Sequence, residues 1–191
     1  MKNKFIIIFI MLVFVTTSCG KSEEKKDTTK NKEYAEIIDY KEALNILKED
    51  TEATVLDIET NTTFEIRRVT GGFNTLADVE TLSKEDTSKL LKTSGGTWNV
   101  KRRAVIVTIG DKKIAASIAP FEHSGDEDKP YGEIIDNRSG STGTGINLDS
   151  IRDNDMIGVV DIYFYNSLVP GVNRVDERHQ EMVLKASQYE E

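Results

Sequence analysis

The stretch AVIVTIGDKKIAASIA, residues 104–119, decides the fold class. Two β-prone runs, Ala104 to Ile109 and Lys112 to Ala119, are separated by Gly110-Asp111, where glycine supplies the positive φ of a tight turn. The segment reads as an antiparallel hairpin, the clearest in the chain. Downstream, MIGVVDIYFY (156–165) is a continuous apolar run of strand length broken only by Gly158 and Asp161, which predicts a central, buried strand. Upstream, TVLDIE (54–59) and TFEIRRV (63–69) flank Thr60-Asn61-Thr62. They read as a second hairpin, with Leu56 and Ile58, then Phe64 and Ile66, turned toward the core.

Helical signals lie between these strands. Asp39 with Glu42 makes a capping pair ahead of Ala43, Leu44 and Leu47, and Ser83 with Asp86 opens a segment that carries Leu90 and Leu91 and stops at Gly95-Gly96. Asp176 caps a last helix in which His179, Met182, Val183 and Ala186 share a face. Residues 120–150 are polar and glycine-rich, with SGSTGTG at 139–145, and read mainly as an exposed loop. The expected fold is α+β: a mostly antiparallel or mixed β-sheet with two to three peripheral helices.

The N-terminus carries an address. Lys2 and Lys4 precede the eleven apolar residues Phe5 to Val15, and Thr16-Thr17-Ser18 lead to Cys19, the single cysteine of the chain. Eleven residues are too few for a helix across a hydrocarbon core of about 30 Å, which takes roughly 20, so residues 1–18 read as a removable export signal. Thr-Thr-Ser-Cys resembles the bacterial lipobox. Cys19 is accordingly the expected site of lipidation, with acyl chains such as palmitate holding the protein to the extracytoplasmic face of the cell membrane. Residues 19–33 then form a charged, solvated tether, and residues 34–191 a single extracytoplasmic domain without a disulfide.

Net charge is −8 over the whole chain, and loss of Lys2 and Lys4 with the signal leaves −10. That balance argues against nucleic acid as a partner.

Residues able to do chemistry are few. With two histidines and one cysteine, a three-histidine zinc site is impossible. His179 lies on the apolar stripe of the last helix, where a buried imidazole bonded to a neighbouring carbonyl or carboxylate is the expectation. His123 sits among Glu122, Asp126, Glu127 and Asp128. It is the candidate general base, with Asp161 or Glu122 as its acid partner, and the run of like charges around it favours solvated surface over a cation site. Asp161, an acid inside an apolar strand, needs a partner if buried, and Arg102 and Arg103 are the nearest in kind. Asp153-Asn154-Asp155 lacks the later glycine and glutamate of a calcium loop, and SGSTGTG lacks the lysine of a P-loop. No metal and no cofactor is expected.

Five segments, LDIETNTTFEIRR, ADVETLSKEDT, GGTWNVKRRAVIV, KKIAASIAPFEHSG and FYNSLVPGVNRVDERHQEMVLKA, give the chain from Thr54 to Ala186 its resemblance to a domain of exported Gram-positive proteins often fused to peptidoglycan-binding modules. The last strand of that family resembles the catalytic region of L,D-transpeptidases. It reads approximately His-Phe-Cys-Ile-His-Phe, followed by Asn or Gly, Ser, Arg, Thr and His. Here Val159, Asp161 and Tyr163, then Leu168, Val169 and Pro170, stand at those places, so every reactive residue is replaced. His123 matches a Pro-His-Gly element, with Glu122 and Ser124 departing from it, and Asp176, His179 and Gln180 match the closing helix.

The resemblance implies an L,D-transpeptidase-like fold and an envelope setting. It also implies binding or scaffolding, with peptidoglycan or an envelope protein as partner and Asp176, Gln180 and Asn166 as candidate contacts. Thioester chemistry needs a thiolate, which Asp161 cannot supply. The alternative is a hydrolase of altered mechanism using His123 with Asp161 or Glu122.

Overall fold

A computed structural model describes residues 34–69 and 74–190. The expected export signal, Cys19 and the expected tether lie outside the described residues. Among the described residues no helix is long and apolar enough to cross a membrane.

The fold is α+β, and its sheet is antiparallel and closed. Six strands form a barrel: β1 (Glu52–Asp57), β2 (Thr62–Arg68), β3 (Ala77–Thr81), β4 (Arg103–Ile109), β5 (Lys112–Ser124) and a later strand, Gly158–Tyr163, called β8 because two short strands precede it. The order around the barrel is β1-β2-β3-β8-β5-β4, and β1 pairs with β4 to close it. The short strands, β6 (Ile134–Ile135) and β7 (Gly145–Ile146), pair with each other inside the long loop. Closure removes the exposed edges that an open sheet would leave.

Alternation along each strand sorts side chains to the two sides of the wall. Val55, Phe64, Ile66, Val79, Val105, Val107, Ile114, Ile118, Val160 and Ile162 share one interior cluster. Helix α1 (Tyr40–Ile46) adds Ala43 and α2 (Lys84–Thr93) adds Leu90 to it. Capping follows the sequence: the Asp39 carboxylate accepts from the Lys41 N–H, and Ser83 Oγ from the Asp86 N–H. Arg68, on the same face of β2 as Ile66, donates to the carbonyls of Leu44 and Leu47, the unsatisfied acceptors at the end of α1.

The first hairpin differs from expectation on one strand. On β1 the inward residues are Ala53 and Val55, whereas Leu56 and Ile58 point outward. The physical reason is a second apolar layer. Helix α3 (Glu177–Ser187) packs against β4 and β5, and its Val183 and Ala186 join Ala104, Ile106 and Ala115 with Leu56 and Ile58 at their margin. Both faces of β1 are therefore apolar, and alternation alone does not tell inside from outside.

Residues 120–150 also differ from a plain loop. Strand β5 runs on through Pro120 to Ser124. Asn147 is fully buried as a hub: its Oδ1 accepts from the Asp126 and Asp149 N–H groups, and its Nδ2 donates to the carbonyls of Asp126, Lys129 and Pro130. Glu80, buried on the outer side of β3, accepts from the N–H and hydroxyl of Ser150 and from the Ile151 N–H, tying the far end of the loop to the barrel.

Candidate functional site

Three neighbouring strands bring the site together on the outer face of the wall. β3 presents Asp78, β8 presents Asp161, and the two stand directly opposite each other in register. Next to β8, β5 pairs Ala119 with Asp161 and then His123 with Val159, so four residue steps on β5 span two on β8. This bulge holds Pro120, whose missing N–H suits an interrupted ladder, and it re-aims His123 along the strand. The result is a hydrogen bond of 3.0 Å between His123 Nε2 and Asp161 Oδ1. Ligand atoms of Asp78, His123 and Asp161 all lie within 4.8 Å of one another.

The loop covers this wall. A Cβ on Gly158 would overlap the His123 carbonyl, one on Gly125 would overlap Gly158, and one on Gly140 would press on His123 Cβ. Gly158, at φ 112°, has a backbone that other residues rarely adopt. Under the loop lies a cavity of about 550 Å3. Its apolar lining comes from Phe121, Tyr163, Ile146, Leu148, Val169 and Pro170, and its polar lining from His123, Ser124, Asp161, Thr142 and Arg138.

Two hydroxyls stand behind His123. Thr142 Oγ1 donates to the Ser139 carbonyl at 3.0 Å, and Ser124 Oγ lies 3.3 Å from Thr142 Oγ1 and 2.8 Å from His123 Nδ1. The single Ser124 proton serves one of these two neighbours, and the His123 tautomer sets which. Burial by itself would depress the His123 pKa. The hydrogen bond and charge of Asp161, reinforced by the charge of Asp78, override it and raise the pKa above the ordinary histidine value.

The other candidates fall into place around this centre. Glu122 is half-buried on the same strand, and its carboxylate accepts from the Ile157 N–H, so Asp161 is the acid that reaches His123. Burial raises the Glu122 carboxyl. Neither expected arginine pairs with Asp161: Arg102 donates to Asp176 at 2.7 Å, and Arg103 makes a two-point contact with buried Asp57.

Asp176 caps α3 through the N–H groups of Arg178 and His179. Asn166 donates to Asp39, and its own N–H goes to Gln180 Oε1. These three candidate contacts are joints of the scaffold, outside the cleft lining.

His179 is buried, as its place on the stripe implied. Its partner is the Ser117 hydroxyl at 2.9 Å rather than a carbonyl or carboxylate, and its ring stacks on Tyr163 with centroids 3.7 Å apart. Burial pushes it down to about 4. Asp78 escaped the reading of the residues altogether, although its alternation with Ala77 and Val79 in ADVET was a usable strand signal.

No family model matches the chain, and neither a curated protein nor a solved structure matches it.

Proposed function

We propose that this protein is a lipid-anchored component of the bacterial cell envelope, held by Cys19, whose barrel binds a peptidoglycan fragment or a similarly polar envelope ligand in the cleft under the 125–150 loop. The observation that carries the reading is the cavity of about 550 Å3, apolar on its walls and polar where His123 and Asp161 meet. Such a mixture orients a ligand while burying its carbon surface. The sequence resemblance supports the envelope setting, and Asp161 in place of a thiol supports recognition over transpeptidation.

A second reading, hydrolysis, has a specific observation in its favour: His123 and Asp161 are in direct contact, as an acid–base pair requires. One experiment separates the two. Residues 34–191 are sedimented with insoluble peptidoglycan, and the incubated glycan fragments are weighed by mass spectrometry. Binding with unchanged fragments is the expected result. Cleavage products that disappear in the His123→Ala chain would establish hydrolysis, and absence of both binding and cleavage would overturn peptidoglycan as the ligand.

A further inference from the structure

We propose that Asp78, His123 and Asp161 form a binding site for a first-row divalent cation of the Zn2+ type, with its remaining coordination positions turned to the cleft. The inference rests on the geometry of the three side chains and not on the identity of the cleft's ligand. One imidazole and two carboxylates are a donor set suited to such ions, and three protein ligands leave room for water or substrate. Their ligand atoms already lie within 4.8 Å of one another, held on adjacent strands of a closed barrel.

His123 is seated for the role. Ser124 Oγ meets Nδ1 at 2.8 Å from behind, so Nε2 is the nitrogen turned to the carboxylates. Asp78 and Asp161 stand directly opposite each other across a strand pair, where like charges repel. A cation among the three side chains relieves that repulsion, and a serine behind Nδ1 is the kind of outer-shell partner that orients a metal-bound histidine.

Zn2+ alone is titrated calorimetrically into the full-length chain in detergent micelles. One equivalent is expected to bind saturably. Asp161→Asn, which keeps the shape of the side chain, should abolish it, as should Asp78→Asn. Ser124→Ala should weaken binding by about 10- to 100-fold, and His179→Gln should leave it unchanged. Cys19 is common to all these chains and drops out of the comparison. Imidazole 15N spectra should show His123 singly protonated at Nδ1 once zinc is added. The proposal is overturned if the wild-type chain takes up no zinc, or if binding persists in a folded Asp161→Asn chain.

Discussion

His123 and His179 lean on the same outer wall of one barrel, a few residues apart along β5 and β8, yet they have opposite characters. His179 reaches down from α3 onto the Ser117–Tyr163 cross-strand pair, beside a layer that includes Val183, Ala186, Ala104, Ile106 and Ala115, and burial pushes it down to about 4. His123 sits under a loop, faces two carboxylates, and is raised. What covers the wall decides the difference. A helix brings its own satisfied backbone and an apolar stripe, so the layer is dry. A loop brings polar backbone and glycines, leaves a cavity, and lets charged groups collect beside it.

The cover over His123 can be broken at one atom. Gly158→Val puts side-chain carbon into the His123 carbonyl and forces a backbone with φ of 112° on a β-branched residue. Strain and overlap together should cost about 4 kcal/mol. Chemical denaturation of the full chain would measure it. Hydrogen exchange should quicken in residues 139–147 while α3 keeps its protection. Equal loss in both places would mean that the two covers are one cooperative unit.

The dry side is tested by acid. His179 has a folded pKa of about 4, below its ordinary 6.5, so the unfolded chain takes up the proton first. Its stabilising contribution is complete above pH 6.5 and is lost as pH falls through 6.5 toward 4, by roughly 3 kcal/mol in all. Glu80 and Asp149, both raised by burial to about 6, act with the opposite sign in an overlapping window: their folded pKa values exceed the ordinary ones, so they destabilise as pH rises through 6. The measurement is therefore a difference. Denaturation midpoints of wild type and His179→Gln are compared from pH 7 to pH 4, and the gap should vary with pH only through His179.

How the loop is moored gives a smaller effect. Glu80→Gln keeps the shape of the side chain but sets an amide NH2 against the N–H groups of Ser150 and Ile151 that the carboxylate accepts, while relieving a buried charge. The mismatch outweighs the relief, and a net loss of about 1 kcal/mol is expected, read in thermal melts at neutral pH. A fully retained stability would mean that Asn147 and the glycine contacts seat the loop without Glu80.

These two halves were unequally legible in the sequence. The hairpin at residues 104–119 and the caps Asp39, Ser83 and Asp176 were readable because turn and cap chemistry is local. Barrel closure through β1 and β4 was not, since it joins residues some fifty positions apart and leaves no local mark. The dry layer misled for a physical reason: α3 makes the outside of β1 apolar, so Leu56 and Ile58 looked like core of the interior. The site was half readable. Asp161 stood out as an acid in an apolar strand and was one of two acids named beside His123, but which of the two reaches the imidazole depended on a bulge at Pro120 that re-aims His123. Asp78 lay hidden in ADVET, where two buried acids resemble surface.

The smallest expected effect carries the sharpest contrast. Asp161→Asn removes one of two carboxylates that face each other directly across β3 and β8, and relief of that repulsion offsets the loss of the His123 contact. Stability should change by less than about 1 kcal/mol in either direction. Groups arranged for binding or chemistry are commonly neutral or costly to the fold, whereas a group buried for packing is not. Tyr163, two residues along the same face of β8, is such a group, and truncating it to Ala should cost about 3 kcal/mol. A thermal melt of each variant compares them directly. If Asp161→Asn cost as much as Tyr163→Ala, the acid would be a structural partner of His123, and the wall under the loop would be as much a part of the core as the wall under α3.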